Sequence, residues 1–194
     1  MASKQFIYQE APPETKNHFQ SIPWALKLFS DPTLQPFTSE SRIVKTAHTG
    51  DTFTARTLAT EDTIPVWQSF HKLPPPGTES RSETITIAKL GSGVNGHIDI
   101  CHGGFLSVLL DEVIGTAADN LRPRDKSMMT AYLKVDYKAP VMTPSTVLCR
   151  AWVESSAGRK MYGKGTVEDG EGKVMAFGDA LFITTDKITA RSKL

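Results

Sequence analysis

Long apolar runs are missing from this chain of 194 residues. No stretch reaches the roughly 18 consecutive apolar residues of a spanning helix, so no helical membrane span is expected. An excess of one charge is missing too. Lys plus Arg number 22 against 21 Asp plus Glu, a formal charge of +1, which excludes a global field that would recruit nucleic acid or an anionic membrane. Any anion site has to be local. Cysteine is scarce: Cys101 and Cys149 supply neither a disulfide framework nor metal-ligand spacing, so neither a metal nor another cofactor is expected, and a reducing interior suits the chain. Internal repeats and low-complexity tracts are absent as well. The opening MASKQFIYQE has no apolar h-region, so no secretory leader is expected. What remains is the composition of one globular domain long enough for a sizeable core.

The chain is organised around Gly91 to Asp119. From Phe105 to Ala118 only Ser107, Asp111, Glu112 and Thr116 interrupt apolar or small residues, which predicts a helix covered on most sides. His102-Gly103-Gly104 marks its start, where two residues without side chains leave backbone N–H groups unobstructed toward an anion. Asp111 follows nine residues after His102, where a carboxylate is costly without partners or a task. A glycine-opened helix start plus an acid on the same helix provides amide donors for an oxyanion and a base or nucleophile, the parts of acyl transfer. The same residues equally describe a tight strand-to-helix turn and an acid tied up by hydroxyls or a cation. Cys101 beside His102 invites a thiol nucleophile, yet neighbours in sequence point apart, and a reduced packing cysteine is preferred.

Around this helix the pattern predicts strands. Before it come a short helix after Ser21-Ile22-Pro23 that ends at Asp31-Pro32, a connecting loop over Thr33 to Gly50, and paired strands over Asp51 to Thr60 and Pro65 to Leu73, with a break at Pro74-Pro75-Pro76-Gly77. The short helix is expected to pack on the domain, with lining an acyl pocket or acting as a lid as the alternative. A further strand spans Ser82 to Leu90. After the helix, alternation from Met128 puts Met129, Ala131, Leu133, Val135 and Tyr137 on one face and Thr130, Tyr132, Lys134 and Asp136 on the other. Strands over Val147 to Val153, Arg159 to Glu168 and Lys173 to Thr184 complete the run, the last two joined at Asp169-Gly170-Glu171-Gly172. This is an α+β plan: an antiparallel sheet of about six strands wrapped around one long helix. Residues 1–50 read as an extension with an extra helix, 51–186 as the domain and 187–194 as a tail.

Asn95-Gly96, His102-Gly103-Gly104, Leu109-Leu110-Asp111 and Gly115, with Thr130 to Pro140 ending in Tyr137-Lys138-Ala139-Pro140, resemble the hotdog-fold acyl-CoA thioesterases of the phenylacetyl-CoA-thioesterase-like group. Asn95 stands one position further from His102 than the common pattern has it, which puts Gly96 in the asparagine's usual register. The resemblance covers roughly residues 50 to 185 and implies a hotdog fold and hydrolysis of an acyl-CoA thioester to a free acid and CoA. It also implies a homodimer or homotetramer with the active site between subunits, His-Gly-Gly of one facing the aspartate of the other. Gly103 or Gly104 would polarise the carbonyl, Asp111 would activate water or attack, and Thr130 would orient the water. His102 and Asn95 join the candidate set, His102 by preference orienting the turn; His97 has no assigned part. Arg159 and Lys160 are the candidate CoA contacts, with Arg150 and Lys164 nearby, and Phe105, Trp67, Phe70 and Met128 are candidates for bounding an acyl tunnel. Two other functions remain open: a hotdog hydratase or dehydratase, for which Asp99 and His102 lack the motif, and a binder of acyl-CoA or polyketide intermediates without turnover. The chain ends in Ser192-Lys193-Leu194, a peroxisomal address when it is the free carboxyl terminus; unread, it would leave the protein cytoplasmic.

Overall fold

The computed structural model describes residues 12–72 and 82–188. The Pro74-Pro75-Pro76-Gly77 break and the Ser192-Lys193-Leu194 address lie outside the described residues. The apolar run forms helix α3, Gly103–Asp119, behind two short helices, α1 (Pro13–His18) and α2 (Pro23–Ser30). Pro23 occupies the first turn of α2, where its missing N–H costs nothing, and α1 is an element that the sequence pattern did not announce. The strands are β1 (Leu34–Phe37), β2 (Trp67–Lys72), β3 (Glu83–Leu90), β4 (Asn95–His97), β5 (Ile100–Cys101), β6 (Lys126–Tyr137), β7 (Ser145–Ala157), β8 (Lys160–Glu168) and β9 (Val174–Asp186). Seven of them form one antiparallel sheet in the order β1-β2-β3-β7-β8-β9-β6, while β4 and β5 make a small separate pair. The α+β plan with a wrapped central helix is the observed fold.

Helix α3 buries Leu106, Leu109, Leu110, Val113, Ile114, Ala117 and Ala118 against one face of this sheet. The approach is close because the floor is glycine. A Cβ on Gly163 would lie 2.4 Å from Ile114 Cγ2, one on Gly165 2.8 Å from Ile114 Cγ1, and one on Gly178 2.9 Å from Ile114 Cδ1. The opposite face of the sheet carries a second core, in which Phe19, Ala25 and Leu34 pack on Phe70, Ile85, Ile87 and Leu148. Helix α2 therefore packs behind the sheet, away from α3, so the lid alternative is not the observed arrangement.

Three local expectations are corrected. Residues 51–60 form no strand: Phe53–Thr57 is a π-helical turn with Thr54 and Ala55 buried side by side. The Arg42 guanidinium takes the carbonyls of Thr54 (2.8 Å) and Leu58 (3.2 Å), which a strand would have offered to a neighbour. The stretch expected as a loop, Thr33 to Gly50, contains β1, which pairs with β2 at the sheet edge, a place where Pro36 is tolerated. Finally, strict alternation along β6 is broken by a bulge. Thr130 faces Phe182 and Tyr132 faces Leu181, so Ala131 is the extra residue. The phase slips there, and Met128 and Thr130 look toward α3 together with Leu133 and Val135.

The glycine floor yields a stability test. Gly178→Ala should cost about 2 kcal/mol through overpacking against Ile114 Cδ1, and adding Ile114→Val, which removes that atom, should recover part of it. Urea unfolding midpoints of the two variants check both statements.

Candidate active site

Helix α3 carries the candidate groups on the face that the sheet leaves uncovered. Asp111 is half-buried there, and Thr130 Oγ1, turned inward by the bulge, donates to Asp111 Oδ1 at 2.9 Å. Burial pushes the Asp111 carboxyl above its ordinary pKa, with the Thr130 hydrogen bond pulling the other way. Its neighbour Glu112 is also raised, first by burial and then by the nearby Asp111 and Asp51, against a hydrogen bond from Ser41 and the charge of Arg42. Both acids open into a cavity of about 750 Å3. One wall is α3 and the start of β6; the other is the segment from Phe37 to Asp51. That second wall was missed by the sequence pattern, although the adjacent acids Asp111 and Glu112 inside an apolar run were a visible signal for the first.

At the other end of the helix, His102 is the N-cap and its Nδ1 accepts the Gly104 N–H at 2.8 Å. The ring can lie there because Gly96 leaves room, a Cβ at that position coming within 2.8 Å of His102 Cδ2. The Gly104 amide is thus engaged by its own cap, which leaves Gly103 as the candidate donor of the two. The Gly103 N–H meets no acceptor among the described residues. Tyr137 closes over this turn, its hydroxyl donating to the Gly103 carbonyl at 2.9 Å and lying 2.8 Å from Ser107 Oγ.

Eight helical steps separate Gly103 from Asp111, about 12 Å along the axis. One carbonyl group cannot touch both within a single protomer.

The other candidates sit apart. Asn95 is held by Thr143, whose hydroxyl donates to Asn95 Oδ1, so its side chain orders the loop. His97 is exposed on β4. Burial pushes the Cys101 and Cys149 thiols up to about 12, which fits packing cysteines. Arg159 and Lys160 are exposed at the β7–β8 turn, where the Arg159 carbonyl accepts from Thr184 N–H at 2.9 Å. Arg150 pairs with Glu83 (3.3 Å) and Glu168 (3.4 Å), and Lys164 with Glu154 (3.7 Å), so these two cations are neutralised within the sheet. Of the expected tunnel residues, Met128 lines the cavity. Phe70 instead meets Phe29 edge to face in the second core, while the Trp67 Nε1–H donates to Ser39 and Ser69 under the Arg42 guanidinium. Phe105 packs against the main core.

Residues 99–176 match the family model of the thioesterase superfamily. The matched segment includes α3, the Asp111–Thr130 pair and the inward face of β6 to β8. Among curated proteins, acyl-coenzyme A thioesterase THEM4 of Mus musculus is 28% identical over 104 residues, 53% of this chain and 44% of that protein. The "uncharacterized protein, mitochondrial" of Candida albicans is 32% identical over 90 residues, 46% of this chain and 40% of that one. The matched segment thus spans less than half the length of these relatives. A thioesterase family protein from Silicibacter pomeroyi superposes with a TM-score of 0.54 at 18% identity, covering 71% of this chain and 95% of that one, and it shares the hotdog fold.

The Thr130 contact is directly testable. Its donated hydrogen bond favours the ionised carboxylate, so Thr130→Val should raise the titration midpoint of Asp111, read by carboxyl-detected NMR. A midpoint that stays put or falls would show that the hydroxyl does not bond the acid.

Proposed function

We propose that this protein is an acyl-CoA thioesterase, hydrolysing an acyl-CoA to a free carboxylic acid and CoA. The observation that carries it is the half-buried Asp111, held by Thr130 at a cavity wall on the helix whose first turn presents the Gly103 N–H. Asp111 takes a proton from water as the water oxygen adds to the thioester carbon. The charge that develops on the carbonyl oxygen is met by the Gly103 amide, at the positive end of α3. Collapse expels the CoA thiolate, which leaves with the proton that Asp111 held. Thr130 fixes the rotamer of the carboxylate.

The 12 Å separation on one helix supports a site built by two copies, Gly103 from one and Asp111 from the other, in a homodimer or homotetramer. Strand β6 is suited to the contact. It is a 12-residue edge strand with Met129 53% and Tyr132 45% exposed, a long apolar edge of the kind that pairs with another chain. Arg159 and Lys160, exposed at the nearby turn, are the proposed phosphate contacts for CoA. A peroxisomal destination through Ser192-Lys193-Leu194 belongs to the same proposal.

Thiol release from a panel of acyl-CoAs tests the activity. Asp111→Asn should lower kcat/KM at least about 100-fold while leaving the protein more resistant to heat, because the substitution relieves a buried charge. The active form is the carboxylate and its pKa is raised, so the wild-type rate should fall with decreasing pH through a midpoint above the ordinary aspartate value. Release unaffected by Asp111→Asn would remove this residue from the mechanism, and no release from any acyl-CoA would remove the activity.

A further inference from the structure

We propose that Glu112 sets the acyl specificity of the cavity, favouring acyl groups with a hydroxyl at the far end of a short chain and rejecting those that end in a carboxylate; this rests on the thioesterase reading of the same site. Adjacent positions on a helix point about 100° apart, so Asp111 and Glu112 enter one space from different directions. Asp111 is occupied by Thr130. Glu112 meets the far wall, where Ser41 bonds it and Arg42 acts on it only through its field, with no cation at ion-pair distance among the described residues.

The cations that do line the cavity are spent. Lys45 donates to the Glu40 carbonyl at 3.0 Å and pairs with Asp51 at 3.7 Å, and Arg122 is bound to Asp119 and the Lys126 carbonyl. Among the described residues the lining holds five acidic side chains and two basic ones. A carboxylate at the end of the acyl chain would therefore enter a net negative space without a free counter-charge. A methyl end finds Met128 and Phe182 in the lining but strips water from Glu112 without replacing it. A hydroxyl donates to Glu112 and leaves neither group unsatisfied.

Three six-carbon substrates differing only at the last carbon separate these cases: hexanoyl-CoA, 6-hydroxyhexanoyl-CoA and adipyl-CoA. The wild type should prefer the hydroxyl compound over hexanoyl-CoA by at least about tenfold in kcat/KM, and hexanoyl-CoA over adipyl-CoA by a similar factor. Glu112→Gln should raise the adipyl-to-hexanoyl ratio at least about tenfold. The corresponding CoA thioethers, which cannot be hydrolysed, should bind wild type by calorimetry in the same order. Adipyl-CoA turned over as well as hexanoyl-CoA, or ratios indifferent to Glu112→Gln, would overturn the specificity role while leaving the thioesterase intact. Absence of thiol release together with the same binding order would overturn the thioesterase and uphold the role of Glu112. An equal affinity for all three thioethers would overturn that role independently of turnover.

Discussion

Ile114 resting on Gly163, Gly165 and Gly178 is the contact from which the rest of the molecule follows. Glycine inside a strand gives up side-chain packing and adds conformational entropy to the unfolded chain. Here those losses are offset by the depth to which α3 sinks into the curved sheet, burying Leu109, Leu110, Val113 and Ala118 along with Ile114. That depth also decides what is left over. The apolar face of the helix is consumed by the sheet, and the face bearing Asp111, Glu112 and Thr116 is turned outward, where the start of β6 and the segment from Phe37 to Asp51 reach it. The cavity is the gap between a helix that is covered on one side and a wall that does not quite close on the other.

The bulge at Ala131 is a second consequence of small-scale geometry. With strict alternation Thr130 would share a face with Tyr132, whose hydroxyl reaches Asp179 on the far side of the sheet. One extra residue reverses the phase, so the hydroxyl at 130 and the apolar groups at 133 and 135 all point to α3. Period-two counting recognised the strand and its length. It could not recognise the slip, because a bulge is a property of the pairing with β9 and leaves no mark in β6 itself.

The same distinction separates what was legible from what was not. Helix α3, its start at His102-Gly103-Gly104, strand β3 and the β7-β8-β9 run are local patterns of apolar spacing and turn residues, and they stand where those patterns put them. Arg42 reaching three carbonyls of residues 54, 58 and 64, Asn95 bound to Thr143, and the second core under Phe70 are contacts between segments far apart in the chain. Residues 51 to 60 were read as a strand because Phe53, Ala55 and Thr57 alternate. A guanidinium from another loop outweighs that weak signal by drawing two of the carbonyls into a turn.

Electrostatics ties the proposed two-copy site together. Among the described residues Asp111 is held by one hydroxyl and no cation, and burial already raises its pKa in the single chain. Covering it with a second copy removes more water, which on its own would raise the pKa further and disfavour the ionised base. In the proposed assembly the opening turn of the partner's α3 would bring the compensation, since the positive end of a helix and an amide with no acceptor among the described residues favour negative charge beside them. The same amide would stabilise both the resting carboxylate and the developing oxyanion. Placing them on different copies would couple assembly to the ionisation of the base as well as to the polarisation of the carbonyl.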